Sequence, residues 1–532
     1  MITFNNPQVP PSGLRGLLHI NILLISAFLL GGCNTKDPIA TPSVDSPVAN
    51  VDYSIINGDT IKTVIFKDYK KLHDKDPNGK NYIVVGDTII TYREPKLHTP
   101  PTQDPDLSKL KNNYDPDLKG KPLRMIAIGG SLTAGVRDGG YFNEGILTSY
   151  PNLIARQMKL QKFEQPLFDA TDYNGFGLKV RTGFNPTGGP VPKFNEVKNN
   201  SGVESVDEKG VKLKAYKTKI GLDNFAIPYV LSDLFRLTSF NSGIPSENKS
   251  STYYQRLLDV GKTTNDLLYK NNKYDMFIME SGFNDMADMI FNGSFYSRRS
   301  TTNPVNFSKD LEKDLKLYKN KDNTITYAAW QSDLSSSFAF IAESYLKGTK
   351  YGCIINTPNI LEFPYFKIVP NKMVENVFKS VNNLSFDTRL NIYCFPNSTI
   401  DSLLSTKVHV ALKPGINNRP LTLKDFIPDY RVSKAQEMLN DFNTEKELLS
   451  KKFGYPVVDI FSLYNKILKG EFTSDDGVKV DPSFPKGNFF SNDGIYPTPF
   501  GQAIITNEVI KVLNNTYKTA IPLIPTREYL DK

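Results

Sequence analysis

The chain has 532 residues, and its 39 % apolar, 23 % charged and 11 % aromatic residues are typical of a folded globular protein, which excludes collagen-like, coiled-coil and wholly disordered chains. The 64 Lys and Arg against 56 Asp and Glu leave a net charge of +8, which is small for this length and comes without a basic cluster, so no nucleic-acid partner is expected. Three cysteines are too few for a disulfide framework.

The N-terminus indicates a lipoprotein signal peptide over residues 1–32. Arg15 precedes an apolar run from Leu17 to Leu30, which is short for a transmembrane span. The run ends in Leu30-Gly31-Gly32-Cys33, which resembles a bacterial lipobox, in which Cys33 is lipidated and becomes the first residue of the mature chain. An ordinary secretory signal with a chance Cys is the alternative. The lipobox implies a lipid-anchored protein, and Asn34 favours the outer membrane, on its periplasmic or its cell-surface side.

Three short regions are predicted before the main domain. Residues 33–50 are rich in Pro, Ser, Thr and Ala and indicate a flexible tether. Residues 51–93 carry four β-rich runs that predict a small β-meander, and residues 94–120, with many Pro and Asp, predict a linker. Asp74 to Gly79 match half of an EF-hand calcium loop, but Val85 replaces its bidentate Glu, so a hairpin tip is favoured there.

From residue 121 onwards, strand patterns alternate with helix patterns. Apolar runs predict strands at 123–128, 275–280, 351–356 and 456–461, and helices at 150–160, at 328–346 and from Pro499. This alternation predicts an α/β domain with a mainly parallel sheet over residues 121–518, followed by a tail at 519–532. The polar stretches at 161–220, 290–325 and 396–450 are predicted to be irregular insertions over the sheet.

Two cysteines lie in strand-like contexts of this domain, Cys353 and Cys394. They can form a disulfide in an oxidising compartment or remain two buried thiols. The sequence leaves both possibilities open.

Candidate catalytic residues lie where predicted strands end, because open α/β sheets bind ligands at the carboxyl ends of their strands. The first strand ends in Gly129-Gly130-Ser131-Leu132. Here the Ser131 hydroxyl can be a nucleophile, and the Ser131 N–H can donate to an oxyanion. The alternative is a glycine-rich turn in which the Ser caps a helix. The 275–280 strand runs into Ser281-Gly282-Phe283-Asn284-Asp285, where the Asn284 amide can also donate to an oxyanion; a simple turn is the alternative. Asp493-Gly494-Ile495-Tyr496-Pro497 precedes the last helix.

These three segments, in this order, resemble the SGNH/GDSL hydrolase family, and most of all a group of large SGNH lipoproteins from Bacteroidetes-type bacteria. The family's blocks are Gly-Asp-Ser-Leu, Gly-x-Asn-Asp and Asp-Gly-x-His-Pro, and further features of the group match Ser149-Tyr150-Pro151 and Asn356-Thr357-Pro358-Asn359. The resemblance covers residues 123–515 and implies a flavodoxin-like parallel sheet between helices. It also implies a serine hydrolase site without cofactor or metal, with Ser131 as nucleophile, Asn284 as oxyanion donor and Asp493 as the orienting acid. Gly282 is the glycine of the Gly-x-Asn-Asp block.

Three site positions depart from the family pattern. Gly130 replaces the Asp of the first block, and Tyr229 stands where the second block has its oxyanion Gly, although Tyr resists the positive φ that Gly permits. Tyr496 replaces the His base. A phenol titrates near pH ~10 and a neighbouring Asp493 raises its pKa further, so it is a poor base. Loss of one triad member typically costs about 10⁴-fold in rate.

The sequence therefore favours a catalytically impaired lipoprotein over an enzyme. It would bind an acyl-type or glycan-type envelope ligand or an outer-membrane protein, with Ser131 and Asn284 as polar anchors and Tyr229 and Tyr496 as aromatic walls. The alternative is an active esterase or acylhydrolase that uses Ser131 with an unorthodox base. The remaining histidines are His19, His73, His98 and His409, and rescue in space by His98 or His409 stays open.

Overall fold

The computed structural model describes part of the chain, and the account below concerns these residues only. They are residues 48–56, 59–66, 82–85, 88–91, 97–102, 104–111, 115–169, 172–184, 192–197, 202–208, 210–216, 222–232, 250–257, 273–292, 351–368, 393–396, 426–427 and 429–530. The predicted signal peptide, Cys33, residues 34–47 of the predicted tether, the Asp74 to Gly79 half-loop and the 328–346 helix lie outside them. Residues 48–50, which the sequence assigns to the tether, instead begin a strand, so the tether is wrong at its end.

The described residues form strands and helices in the following order. The strands are β1 Val48–Ile56, β2 Asp59–Phe66, β3 Tyr82–Val85, β4 Thr88–Thr91, β5 Met125–Ile128, β6 Lys179–Phe184, β7 Pro192–Glu196, β8 Val203–Asp207, β9 Gly210–Leu213, β10 Met276–Glu280, β11 Tyr351–Ile355, β12 Tyr393–Cys394, β13 Phe426–Ile427 and β14 Val457–Val458. The helices are α1 Ser131–Ala134, α2 Asn143–Leu147, α3 Tyr150–Gln157, α4 Ser250–Leu257, α5 Phe283–Asn292, α6 Pro364–Lys367, α7 Asp429–Phe453, α8 Ile460–Leu468 and α9 Pro499–Tyr517.

The N-terminal strands β1 to β4 form an antiparallel sheet of their own, in the order β1-β2-β4-β3. The four strands lie close to the β-rich runs of the sequence, but β2 pairs with β4 and not with β3. The expectation of a simple meander is therefore wrong in its strand order. The two hairpins are local and can be predicted from turn spacing, whereas the pairing of β2 with β4 is a long-range choice.

The main sheet is parallel and has the order β14-β11-β10-β5. Residues 223–227 extend it beyond β5: the Phe225 N–H donates to the Ala127 carbonyl (2.8 Å) and the Ile227 N–H donates to the Gly129 carbonyl (3.0 Å). In chain order the five positions are therefore 2-1-3-4-5, which is the flavodoxin-like order. The predicted α/β fold with a parallel sheet is confirmed.

Helices cover this sheet, and its strands β5 and β10 are consequently apolar except for Glu280 at the end of β10. All residues of β5 and β10 are buried, as expected for parallel strands with both faces covered. Helix α9 packs on α3, β11 and β14, and α5 packs on α7. Pro499 opens α9 and Thr498 caps it, with the Gly501 N–H donating to the Thr498 hydroxyl at 3.1 Å, as the sequence predicts.

Three sequence expectations are wrong in this domain. The stretch 161–220, predicted to be irregular, contains the antiparallel strand pairs β6–β7 and β8–β9. The strand predicted at 456–461 is only Val457–Val458, because Asp459 caps α8 by accepting from the Ser462 N–H at 3.0 Å. The end of the supposed irregular insertion at 396–450 is helical, because the 25-residue helix α7 begins at Asp429 and ends at Phe453. Buried residues recur along α7 at helical spacing and fix it on the core: Ala435, Met438, Leu439, Phe442, Lys446 and Leu449.

Cys353 is a buried free thiol in β11. Burial raises its pKa, so it stays protonated. The sequence leaves a thiol and a disulfide open for Cys353. In the structure Cys353 is a thiol and does not form a disulfide with Cys394.

Within the described part of the chain, no helix combines the length and the apolar character needed to cross a bilayer.

Candidate functional site

The predicted site residues meet at the carboxyl edge of the parallel sheet. Ser131 begins α1 directly after β5, and Gly282 and Asn284 follow β10. Tyr229 follows the 223–227 segment on the other side of β5. The loop that carries Asp493 and Tyr496 reaches this edge from the end of the chain. The fold therefore brings together four segments that are far apart in sequence.

Ser131 is inaccessible in this structure, with 0 % of its surface exposed. Its hydroxyl oxygen accepts a hydrogen bond from the Tyr229 N–H at 2.8 Å. In a serine hydrolase such an N–H would stabilise the oxyanion of the substrate. Here it holds the serine oxygen itself, so the serine and the donor satisfy each other.

Tyr229 has a left-handed backbone conformation, which favours Gly, with φ of 60°. The sequence-based expectation that Tyr resists this conformation is therefore overcome by the surrounding contacts. The Asn284 amide donates to the Val230 carbonyl at 2.9 Å, and Asp285 accepts from the Ser232 N–H at 3.0 Å and from its hydroxyl at 2.8 Å. A bulky residue with positive φ costs about 1–3 kcal/mol, so the loop is held against strain.

Asn284 lies against the turn that carries Ser131. A Cβ atom on Gly130 would clash with the Asn284 amide, so the Asp of the family motif has no room there unless Asn284 moves. The Asn284 Oδ1 atom is buried and has no hydrogen-bond partner. Gly282 is also constrained: its φ is 96°, and a Cβ would meet the Phe442 ring and the Thr357 hydroxyl.

Tyr496 fills the space where a base would act. It is 2 % exposed, and its ring stacks on Phe283 with centroids 5.5 Å apart. Its hydroxyl makes no hydrogen bond of regular geometry. Burial raises its pKa well above 10, and Tyr229 and Asp493 raise it further, while the nearby Ser131 hydroxyl lowers it. The phenol is therefore neutral at physiological pH and cannot take the serine proton.

Asp493 shapes its own loop and does not orient a basic side chain. One carboxylate oxygen accepts from the N–H groups of Ile495 and Tyr496, both at 2.9 Å, and the other accepts from the Gly139 N–H at 3.2 Å. Burial raises its pKa to about 6, with Asp138 adding to the shift and the three backbone N–H groups opposing it.

His98 belongs to a different part of the molecule. Its Nδ1 atom shares a hydrogen bond of 2.8 Å with the Tyr529 hydroxyl, and Arg156 donates to its carbonyl at 3.1 Å. Burial, and then Arg156, lower its pKa to about 4, so it is neutral at physiological pH. The structure therefore does not place His98 where it could act as the base for Ser131. His19, His73 and His409 lie outside the described residues.

Glu280 is a site residue that the sequence analysis missed. It ends the apolar strand β10 and is buried. Its carboxylate accepts from the N–H of Gly130 at 3.0 Å, from the hydroxyl of Thr133 at 3.1 Å and from the N–H of Phe283 at 3.3 Å. One carboxylate thus joins the turn of Ser131 to the start of α5. A charged residue at the end of an otherwise apolar strand was the signal for it.

Lys446 is a second missed residue, and it lies in the buried stripe of α7. Its ammonium group donates to the carbonyls of Ser281 and Ile355 and to the Thr357 hydroxyl. A lysine at a core-facing helical position was the signal, but that signal needs α7 to be recognised as a helix first.

The two further family features act as braces. The Tyr150 N–H donates to Gln502 at 3.0 Å, and the Tyr150 hydroxyl shares a 2.7 Å hydrogen bond with Thr133 beside Glu280. Asn356 donates to Asp459 at 2.7 Å and so links the loops after β11 and β14. Both features fix the segments behind the site.

Among the residues that the structure describes, no cluster of His, Cys, Asp and Glu is arranged to hold a metal ion.

Comparison with protein-family models gives no match to this chain. Comparison with curated proteins also gives none. Among solved structures, the chain is similar to the extracellular lipase of Streptomyces rimosus, with 9 % sequence identity and a TM-score of 0.28 over 74 % of this chain and 99 % of the lipase.

The arrangement can do only part of the chemistry of acyl transfer. A serine, a backbone donor and an amide donor lie together, but each is buried and already has a hydrogen-bond partner or close contact inside the protein. Ser131 and Asn284 are therefore not exposed as the polar anchors of an open cleft.

Proposed function

We propose that this chain is an SGNH-fold lipoprotein of the bacterial outer membrane, anchored through Cys33, whose hydrolytic site is disabled and which acts by binding a partner or ligand of the cell envelope. The observation that carries the proposal is the buried Tyr496 phenol at the position of the base. It removes the proton acceptor and closes the space over Ser131 with one side chain.

The surroundings of Tyr496 support the same conclusion. Asp493 is engaged by backbone N–H groups, so it has no imidazole to orient. The Ser131 hydroxyl is held by Tyr229 and is not exposed to solvent. General-base catalysis requires an acceptor within hydrogen-bond reach of the nucleophile, and a neutral phenol with a raised pKa does not supply it.

The test is hydrolysis of p-nitrophenyl butyrate by the full chain in detergent, together with labelling of Ser131 by a fluorophosphonate. We expect the native chain to match Ser131→Ala in both assays. Tyr496→His should gain turnover that Ser131→Ala abolishes, since an imidazole beside Asp493 restores the base and opens space. Tyr496→Phe is the matched control and should stay silent, because it keeps the ring stack and supplies no base.

Turnover by the native chain that disappears in Ser131→Ala would overturn the impairment and establish the alternative, an active esterase that uses Ser131. If both the native chain and Tyr496→His stay silent, the site has lost more than its base, and binding remains as the function to characterise.

A further inference from the structure

We propose that Lys446 is the positioning residue of this site, holding the loop of Ser281, Gly282 and Asn284 in place while its side chain is protonated and loosening the loop when it loses the proton. This role of Lys446 goes beyond the proposed function, because it concerns how the site opens. It applies whether or not Ser131 retains any hydrolytic activity.

The geometry of Lys446 matches an ammonium group. Its three N–H bonds have three acceptors: the Ser281 carbonyl, the Ile355 carbonyl at 3.0 Å and the Thr357 hydroxyl at 2.9 Å. The Thr357 hydroxyl in turn donates to the Ser281 carbonyl at 3.1 Å. A protonated lysine therefore joins the ends of β10 and β11, and a neutral amine, with two N–H bonds, can keep only two of the three contacts.

Helix α7 fixes the position of this side chain. Asn443, one turn before Lys446, accepts from the Thr357 N–H and donates to the Thr357 carbonyl, both at 2.9 Å. The Phe442 ring lies 4.7 Å from the Lys446 ammonium. The helix is thus docked on the loop after β11 independently of Lys446, so loss of the proton is expected to act on the Ser281 loop and not on the helix.

The charges around Lys446 come from two elements. Glu280 faces it from β10 and Asp285 from α5, while β14, on which α7 also packs, presents only Val457 and Val458. Burial lowers the pKa of Lys446 to about 7, and Glu280 and then Asp285 oppose this shift. The proton is therefore exchanged in the physiological range, which supports the geometric argument.

The consequence reaches Ser131 through the chain that follows Ser281. The Asn284 amide holds Val230, and Asp285 holds Ser232, so these two residues fix the strained loop of Tyr229. A neutral Lys446 gives up one of its three contacts, and we infer that it is the one to the Ser281 carbonyl, which keeps the Thr357 hydroxyl as a donor. The start of α5 and the Tyr229 loop are then expected to loosen together and uncover Ser131.

The test is hydrogen–deuterium exchange of the full chain at pH 5.5 and pH 8.5, corrected for the intrinsic pH dependence of amide exchange. We expect protection in residues 281–286 and 228–232 to fall about tenfold at pH 8.5, while α9 is unchanged. Lys446→Met should show the lower protection at both pH values. Lys451→Met removes an exposed lysine from the same helix and should behave like the native chain.

Equal protection of residues 281–286 at the two pH values in the native chain would overturn the proposal, and this measurement does not depend on the folding of any variant. A loss of protection that extends to α9 would also overturn it, because it would report global unfolding. None of these outcomes depends on esterase activity. The role of Lys446 can therefore be disproved while the proposed function stands, and the proposed function can be disproved while the role of Lys446 stands.

Discussion

At the residue scale, two tyrosines determine the surroundings of the Ser131 hydroxyl. Tyr229 keeps the backbone conformation of a glycine, and its N–H is directed at the Ser131 hydroxyl. Tyr496 lies in the loop of Asp493 and supplies a neutral, buried phenol. The proposal of a disabled site depends on this phenol, because it is a poor acceptor for the Ser131 proton.

Gly282→Ala should destabilise the protein by more than about 2 kcal/mol of unfolding free energy, since the new Cβ combines a positive φ with contacts to Phe442 and Thr357. Gly470→Ala is the matched control: its φ is 71°, but nothing lies within 4 Å of the added Cβ, so only about 1 kcal/mol is expected. Urea unfolding of the two variants measures the difference, and equal losses would contradict the packing argument at Gly282.

At the element scale, short segments supply the chemistry and long helices hold them. Helix α1 is a single turn, and Glu280 fixes its start through the Gly130 N–H. Helix α7 is 25 residues long and reaches the same edge of the sheet with Lys446. Helix α9 carries Gln502, which accepts from the Tyr150 N–H. The Ser281 loop is thus tied to a helix from a distant part of the chain, and the Ser131 turn is tied to the end of β10.

Thr498→Ala should lower the unfolding free energy by about 1 kcal/mol, because the Thr498 hydroxyl accepts from the Gly501 N–H at the start of α9. Thr516→Ala changes an exposed residue in the last turn of the same helix and should stay within about 0.5 kcal/mol of the native chain. Chemical denaturation of both variants distinguishes loss of the cap from a general effect of threonine replacement.

At the scale of the whole molecule, the parallel sheet gathers its functional groups at one edge, and His98 ties the segment before it to the C-terminal segment. This histidine is neutral in the folded state down to about pH 4, whereas the unfolded chain takes up the proton near pH ~6.5. Between these values the unfolded state binds more protons, so stability is lost as the pH falls.

Removing His98 should therefore reduce the acid sensitivity of the fold. We expect the native chain to lose about 2 to 3 kcal/mol between pH 6.5 and pH 4 relative to His98→Asn. Asp493 acts with the opposite sign, because its pKa is raised to about 6, but it is present in both proteins and cancels in the difference. Urea unfolding at several pH values gives the two curves, and parallel curves would contradict the assignment to His98.

The sequence determined the α/β class, the strands β5, β10 and β11 to within two residues, and the capped start of α9. These depend on local patterns, namely apolar runs and a Thr-Pro pair, that hold in any tertiary context. It also placed Ser131, Asn284 and Asp493 at strand ends and loops, because glycines and short polar residues mark such turns.

Only the tertiary structure decided which site residues are buried and which partners they contact. Burial of Ser131, the stacking of Tyr496 on Phe283 and the roles of Glu280 and Lys446 come from contacts between residues that lie far apart in the chain, such as Lys446 and Ile355, 91 positions apart. The pairing of β2 with β4 is likewise a contact between elements that are not neighbours in sequence. Periodicity and turn chemistry report the local backbone, whereas burial, pKa and hydrogen-bond partners depend on which distant segments the fold brings together.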